Sequence, residues 1–167
     1  MSGKFALLDR DGTIILDKVY LSDPAGLEFA PGALEGLRLL RDAGFTLALV
    51  TNQSGIARGY FDEVALERIH ARLADMLADE GLSLAGVYFC PHGPDDGCDC
   101  RKPAAGMAEA AMRDLGFPPA QAVVIGDSDA DMGLAQAAGL KGVRIGAGEG
   151  NAKNFLEAAR RACALFS

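Results

Sequence analysis

The stretch that decides the fold prediction is FALLDRDGT, residues 5–13. Four apolar residues are followed by Asp9 and Asp11, and side chains two positions apart on a strand point to the same side. The spacing predicts two carboxylates side by side where a buried strand ends and the backbone turns at Gly12. Such a pair can hold a divalent cation, or one acid can attack as a nucleophile while the other moves protons. An ordinary Asp-Gly turn is the alternative.

Short apolar runs recur along the chain and alternate with helical patterns. Runs rich in Val, Leu, Ile and Phe predict buried strands at residues 5–8, 45–50, 86–89, 122–125 and 142–145. Helical spacing predicts helices between Pro31 and Gly44, between Asp62 and Gly81, and over 104–115, 129–138 and roughly 152–166. This order predicts an α/β fold, a Rossmann-like doubly wound parallel sheet with helices on both faces, formed by residues 1–167 as a single domain.

The composition excludes several classes of protein. The formal net charge is −7 over 167 residues, which argues against a nucleic-acid-binding surface. No apolar run reaches the ~18 residues that a membrane span needs, and Lys4 and Asp9 come too early for a signal peptide. We therefore expect a cytoplasmic protein that binds neither nucleic acid nor membrane, and we expect it to be a monomer.

Polar residues follow directly after several of the apolar runs, which predicts one shared site. The carboxyl ends of parallel strands meet at one edge of a sheet, and Asp9, Thr51, Cys90 and Asp127 all lie at such ends. The segment TNQSG, residues 51–55, offers a hydroxyl and backbone N–H groups to a phosphate, although it can equally be a polar turn.

Charged residues in two later segments extend this predicted site. Arg101 and Lys102 supply positive charge suited to phosphoryl oxygens, unless they form a solvated surface pair. Asp127 can complete a magnesium site with Asp9. Asp129 fits the N-terminal turn of a helix, where a carboxylate favours the helix dipole, and the role of Asp131 stays open.

Three of the four cysteines and one histidine form a cluster between residues 90 and 100. The ligands Cys90, His92, Cys98 and Cys100 suit a closed tetrahedral zinc site, which would be structural because no coordination position is left open. Such a site would fix the loop that carries the basic pair. Buried or redox-active cysteines are the alternative. Cys163 is isolated on an apolar helix face and is assigned to the core. His70 has no ligand partner nearby in the sequence and is assigned no function.

The motifs together resemble the haloacid dehalogenase (HAD) superfamily of phosphohydrolases. Their order is Asp-x-Asp-Gly-Thr, then Thr, then Lys, then Gly-Asp-x-x-x-Asp. Within it, the chain is similar to the branch of D-glycero-D-manno-heptose-1,7-bisphosphate 7-phosphatases, through LDRDGT at 8–13, TNQSGIARG at 51–59 and the cysteine-rich segment 90–103. The resemblance implies a HAD core without a separate cap domain, a small sugar-phosphate substrate, catalytic Mg²⁺ and structural Zn²⁺.

The resemblance also implies a role for each motif. Asp9 would form an aspartyl-phosphate, Asp11 would donate and then accept the proton, and Thr51 and Lys102 would neutralise the phosphoryl group. Magnesium would be held by Asp9, the backbone carbonyl of Asp11, and Asp127. The substrate would contact Asp17, Lys18, Val19, Tyr20, Asn52, Gln53, Ser54 and Arg101. Some relatives carry a basic residue where this chain has Ser128.

Other functions fit parts of the pattern. Histidinol-phosphate phosphatases share the fold and a similar zinc loop, but residues 53–59 favour the heptose branch. Phosphoacceptor signalling domains also use Asp, Thr and Lys with Mg²⁺, but their phosphorylated Asp ends the third strand, where this chain has Phe89 and Cys90. A zinc-stabilised interaction module without catalysis leaves the paired carboxylates unexplained.

Overall fold

Five strands form one parallel sheet in the computed structural model, which describes residues 3–167. The strands are β1 (Lys4–Leu8), β2 (Phe45–Asn52), β3 (Gly86–Cys90), β4 (Ala122–Gly126) and β5 (Lys141–Arg144). Their order across the sheet is β3-β2-β1-β4-β5, and every neighbouring pair is parallel. The predicted doubly wound α/β sheet is confirmed, and each strand lies within two residues of its predicted bounds.

Five α-helices connect or follow these strands: α1 (Ala33–Asp42), α2 (Glu63–Asp79), α3 (Gly106–Leu115), α4 (Asp129–Ala138) and α5 (Phe155–Leu165). The start of α2 follows its capping signal, since the Asp62 side chain accepts a hydrogen bond from the Ala65 N–H at 2.8 Å. The last helix begins later than residue 152, because Asn154 is its N-cap and accepts from the Glu157 N–H at 2.9 Å.

Both faces of the sheet are buried, which explains why the strands lack polar alternation. On β1, Ala6 and Leu8 pack in a core cluster with residues of α1, α2 and α5, whereas Leu7 packs with α3 and α4 on the other face. Alternate side chains of a strand therefore serve two separate apolar layers. The described residues include no helix that is both long enough and apolar enough to cross a membrane.

The strand order reverses between β1 and β4, and this reversal positions the site. The strands that flank it are followed by Asp9 and Asp127, and the backbone N–H of Asp9 donates to the Ile125 carbonyl at 3.0 Å. A crevice forms at such a switch point because the loops that leave the two strands run to opposite faces of the sheet. The two acids, 118 positions apart in the chain, thus become neighbours.

Candidate active site

A cleft of about 370 Å³ opens at the carboxyl edge of the sheet, above β1 and β2. Its walls come from the loops after β1, β2, β3 and β4, as expected for a doubly wound fold. The residues that line it are Asp9, Asp11, Asp17, Val19, Tyr20, Asn52, Gln53, Ser54, Arg101, Lys102, Ser128 and Ala130. The cleft thus brings together all the predicted substrate contacts except Lys18. That side chain pairs instead with Glu28 at 2.7 Å.

Asp9 lies at the floor of the cleft and is 8% exposed. One carboxylate oxygen accepts from Lys102 Nζ at 2.8 Å and the other from the Thr13 hydroxyl at 3.2 Å. Burial raises the pKa of Asp9 to about 8, with a further contribution from the Asp131 carboxylate, while the charge of Lys102 opposes the rise. A cation beside Asp9 would favour its ionised form, which is the form that can act as a nucleophile.

Lys102 is 5% exposed, yet its ammonium group is fully hydrogen-bonded. Nζ donates to Asp9 Oδ1 at 2.8 Å, to Asp131 Oδ1 at 2.6 Å and to the Val50 carbonyl at 3.0 Å. Burial lowers the pKa of Lys102, but the two carboxylates outweigh burial and hold the pKa above its ordinary value. Lys102 therefore remains a positive charge fixed beside Asp9.

Asp131, whose role the sequence left open, is completely buried and both of its oxygens are engaged. Oδ1 accepts from Lys102, while Oδ2 accepts from the Ser128 hydroxyl at 2.8 Å and from the Ser128 backbone N–H at 3.2 Å. Ser128 in turn caps α4 by accepting from the Asp131 N–H at 3.2 Å. Ser128 and Asp131 have the i, i+3 spacing of a capping box, and because Asp131 also binds Lys102, this box couples the helix cap to the position of Lys102.

Asp11 is held by two side chains, Arg10 and Gln53, that no sequence pattern predicted as its partners. Arg10 donates through Nε at 3.2 Å and through a terminal nitrogen at 3.0 Å. Gln53 Nε2 donates to Asp11 at 3.1 Å and to the Thr51 hydroxyl at 2.9 Å. Gln53 was predicted as a substrate contact, but its amide group donates to Asp11 and Thr51, two residues that were predicted to be catalytic.

Arg10 is completely buried, and its other terminal nitrogen lies 3.1 Å from Nε2 of His70 on α2. No sequence signal pointed to this contact, because the two residues are 60 positions apart. Arg10 stands at the variable position of Asp-x-Asp-Gly-Thr, and His70 lies in none of the motifs. Burial, followed by the charge of Arg10, lowers the pKa of His70 to about 4. His70 is therefore neutral at pH 7.

Lowering the pH will destabilise the folded protein through His70. The pKa of His70 is about 4 in the folded protein, compared with 6.5 for an unperturbed histidine in the unfolded chain. Between pH 4 and 6.5, His70 is therefore protonated in the unfolded chain but not in the folded protein. The free energy of unfolding should fall by up to about 1.4 kcal/mol per pH unit as the pH decreases through this window. Urea unfolding at several pH values should give a shallower dependence for His70→Gln than for the wild type, and equal slopes would contradict the assignment.

The carboxylates around Asp9 fit a divalent cation. Oxygens of Asp9, Asp127 and Asp131 lie within 4.8 Å of one another, and Asp127 is partly exposed. Asp131 is completely buried and accepts from Lys102 and Ser128, whereas Asp9 and Asp127 keep part of their surface exposed, so Asp9 and Asp127 are the pair placed to hold an ion. Two ionised carboxylates at this separation repel each other, and a cation between them would relieve that repulsion. Gly12 has φ 79° and faces the Asp127 carboxylate, where any Cβ would collide.

The cysteine cluster fits a tetrahedral metal. The sulfur of Cys90 lies 2.9 Å from that of Cys100 and 3.6 Å from that of Cys98, while His92 Nδ1 lies 3.4 Å and 3.3 Å from the sulfurs of Cys90 and Cys100. Zinc–sulfur bonds of about 2.3 Å in a tetrahedron separate sulfurs by roughly 3.8 Å. Burial, followed by the neighbouring thiols, raises the pKa of Cys100 to about 12, so this thiol becomes a thiolate at neutral pH only beside a cation. At Cys98 burial also acts to raise the pKa, but hydrogen bonds from the backbone of Arg101 and Cys100 outweigh it and lower the pKa to about 7.

Hydrogen bonds connect the loop that carries the cysteine cluster, residues 90–103, to the cleft. Arg101 donates to the His92 carbonyl at 3.3 Å. Asn52, at the end of β2, accepts from the Lys102 backbone N–H at 3.0 Å and donates to its carbonyl at 3.3 Å. These contacts fix the backbone that presents both basic residues.

A second loop forms the rim of the cleft. Val19 and Tyr20 adopt φ of 53° and 58°, a left-handed conformation that is costly for such side chains. Asp17 supports it by accepting from the Val19 N–H at 2.9 Å. The Tyr20 ring packs against Tyr60 at 4.8 Å, and the Arg58 guanidinium lies 5.7 Å from its centre. The strained loop is thereby stacked against the segment that follows β2.

Comparisons with known proteins place these features in a family. A HAD-hydrolase-like family model matches residues 99–165. The D-glycero-beta-D-manno-heptose-1,7-bisphosphate 7-phosphatase of Pseudomonas aeruginosa is 42% identical over 151 residues, covering 90% of this chain and 85% of that protein. The enzyme of the same name from Haemophilus ducreyi is 43% identical over 149 residues, covering 84% and 81%.

A solved structure shares the same architecture. The D,D-heptose 1,7-bisphosphate phosphatase from B. bronchiseptica, crystallised with magnesium and phosphate, matches with a TM-score of 0.85 and 34% identity. The match covers 95% of this chain and 97% of that one. The similarity therefore extends over nearly the whole fold.

Proposed function

The chain belongs to the D-glycero-D-manno-heptose-1,7-bisphosphate 7-phosphatase family of HAD-type hydrolases, and from this premise we propose that it removes the 7-phosphate of that sugar. The observation that carries the proposal is the arrangement around Asp9. Its carboxylate lies at the floor of an open cleft, 2.8 Å from a buried ammonium group and beside a second carboxylate. This is the positioning and charge compensation that phosphoryl transfer requires.

The proposed reaction has two steps. A carboxylate oxygen of Asp9 attacks phosphorus, the bond between phosphorus and the sugar oxygen breaks, and Asp11 gives its proton to that oxygen. A water molecule then attacks the aspartyl-phosphate, Asp11 takes up the proton of the water, and inorganic phosphate leaves with Asp9 restored. The same side chain serves as acid and then as base, so the cycle ends with the protonation state in which it began.

The remaining residues stabilise charge in both steps. Lys102 faces the phosphoryl oxygens through the ammonium group that also binds Asp9. The Thr51 hydroxyl accepts from Gln53, so its own hydrogen stays available to a phosphoryl oxygen. Asp9, the backbone carbonyl of Asp11 and Asp127 would hold Mg²⁺, which when bound neutralises negative charge on the phosphoryl group.

The substrate would be held by the cleft walls. We assign contacts with the sugar and its second phosphate to Arg101 and to the lining residues of the loops after β1 and β2, while Lys18 lies outside this set because it pairs with Glu28. That the chain acts as a monomeric single domain in the cytoplasm stays a prediction.

Phosphate release from two substrates tests the proposal. With Mg²⁺ present, kcat/KM for D-glycero-D-manno-heptose 1,7-bisphosphate should exceed that for histidinol phosphate by at least about tenfold, a difference that pocket contacts readily supply. An identically purified Asp9→Asn preparation serves as the control for contaminating phosphatases. Faster turnover of histidinol phosphate would overturn the substrate assignment, and an aspartyl-phosphate that lasts for minutes would favour a phosphoacceptor.

Metal analysis tests the zinc assignment. Protein purified without added zinc should contain about one equivalent, since a closed site with three sulfurs and one nitrogen binds zinc tightly. Cys98→Ser should lose the metal and lower Tm, whereas Cys163→Ser, which changes a cysteine of the same chain outside the cluster, should keep it. Metal-free wild-type protein with unchanged stability would contradict a structural zinc.

A further inference from the structure

We propose that Arg10, anchored by His70, is a positioning residue that orients the Asp11 carboxylate for proton transfer. The inference rests on the proposed phosphatase function, because it assigns these two residues to the proton transfers of that reaction. Neither Arg10 nor His70 belongs to the proposed catalytic residues Asp9, Asp11, Thr51 and Lys102.

The contacts of Asp11 leave its orientation to Arg10 and Gln53. Arg10 reaches both carboxylate oxygens, with Nε 3.2 Å from each and a terminal nitrogen at 3.0 Å. The Asp11 side chain remains 24% exposed at the cleft, whereas that of Arg10 is 1% exposed beneath it. A buried guanidinium in a fork geometry fixes both the position and the plane of a carboxylate.

Because Arg10 and Asp11 are adjacent in the chain, their side chains can pair in several rotamers. A contact from another part of the fold is therefore needed to hold Arg10 in one of them. His70 supplies it from α2, with Nε2 at 3.1 Å from the Arg10 terminal nitrogen that does not face Asp11. A guanidinium can only donate, so Nε2 accepts and the imidazole is neutral with its hydrogen on Nδ1. His70 also packs near the Phe89 ring, at 6.5 Å between centroids, which restrains the imidazole from the side of β3.

This chain of contacts links a helix in the core layer to the group that moves the proton. Proton transfer by a positioned side chain contributes about 10²–10⁴-fold, and a misplacement of roughly 1 Å can cost about 10²-fold. A simple structural role for the buried Arg10 would instead change the amount of folded protein. A positioning role therefore predicts a change in the steps that need proton transfer by Asp11. A purely structural role predicts an equal loss in every step.

The experiment compares His70→Leu, His70→Gln and the exposed α2 variant Glu67→Gln on two substrates. Heptose 1,7-bisphosphate has a sugar oxygen as its leaving group, which needs a proton from Asp11. p-Nitrophenyl phosphate has a phenolate that leaves without one. With the aryl substrate, rapid mixing should give a burst of nitrophenolate whose amplitude counts competent active sites. The later steady rate should report hydrolysis of the aspartyl-phosphate.

We expect His70→Leu to lower kcat on the heptose substrate by about tenfold, with KM changed less than about threefold. On the aryl substrate the burst should keep its amplitude and rate, while the steady rate falls by about tenfold, because only the second step then needs Asp11. His70→Gln, whose amide oxygen can accept from Arg10, should recover kcat to within about threefold of the wild type. Glu67→Gln should match the wild type.

The inference is overturned if His70→Leu reduces burst amplitude and all rates in proportion, which is the signature of lost folded protein. It is also overturned if His70→Gln is as impaired as His70→Leu, since the acceptor would then be irrelevant. Failure of the proposed function looks different, because the wild-type protein itself would then release little or no phosphate from the heptose substrate.

Discussion

Replacing Asp9 with asparagine will reduce phosphate release by at least about 10⁴-fold, the scale seen when a covalent nucleophile is removed. A neutral amide cannot attack phosphorus, and no other side chain of the cleft occupies the same place. Asp9 receives hydrogen bonds from Lys102 and Thr13, and the asparagine carbonyl can accept from Lys102 in the same way. Loss of activity should therefore come without loss of the fold.

Thermal unfolding separates these two outcomes for Asp9→Asn. Burial raises the pKa of Asp9 to about 8, so a neutral isostere fits the site well, and Tm should stay unchanged or rise. Asp42→Asn, which makes the same chemical change at an exposed position on α1, should retain wild-type turnover. Activity of Asp9→Asn within an order of magnitude of the wild type would contradict the nucleophile assignment.

Replacing Lys102 with methionine will lower kcat by at least about 10³-fold and will also destabilise the protein. Removing one preorganised charge-stabilising group from a site typically costs about 10²–10³-fold, and Lys102 additionally holds Asp9 at 2.8 Å. Stability should fall by about 3–5 kcal/mol, because Asp131 is completely buried and loses Lys102, its positively charged partner. Urea unfolding and steady-state kinetics measure the two effects.

A second substitution distinguishes catalysis from folding for Lys102. In Lys102→Met/Asp131→Asn the uncompensated buried carboxylate is gone, so most of the lost stability should return while kcat stays low. Asp131→Asn alone should lose less activity than Lys102→Met, since the ammonium group keeps Asp9 and Val50 as acceptors. Recovery of turnover together with stability in the double variant would show that Lys102 acts only through the fold.

The sequence predicted much of the fold because its signals are local. The apolar run before Asp9 and the cap at Asp62 each fix an element through residues that lie next to it in the chain. The same holds for the cysteine cluster, whose four predicted ligands fall within residues 90–100 and offer atoms that lie within 4.8 Å of one another. Helix starts were less certain, as for α5, because capping depends on one side chain rather than on a repeated pattern.

The partners of the candidate catalytic groups could not be predicted in the same way. Arg10 stands between two aspartates in a polar segment, a context typical of exposed residues, yet it is completely buried against His70 of α2. Gln53 similarly matched a phosphate-binding turn, but its amide is directed to Asp11 and Thr51. These contacts join distant segments, so no local pattern carries them.

The sequence by itself determined the doubly wound sheet, the two acids after the first strand, and most of the residues that line the cleft. These depend on hydrophobic periodicity and on strand ends, which short-range chain geometry dictates. Only the tertiary structure decided which acidic side chain pairs with which basic side chain in the site. It placed Lys102 between Asp9 and Asp131, left Asp127 free for a cation, and tied Asp11 to the core through Arg10. The reason is physical: a buried charge is tolerated only where the fold brings it a partner, and that partner comes from another part of the chain.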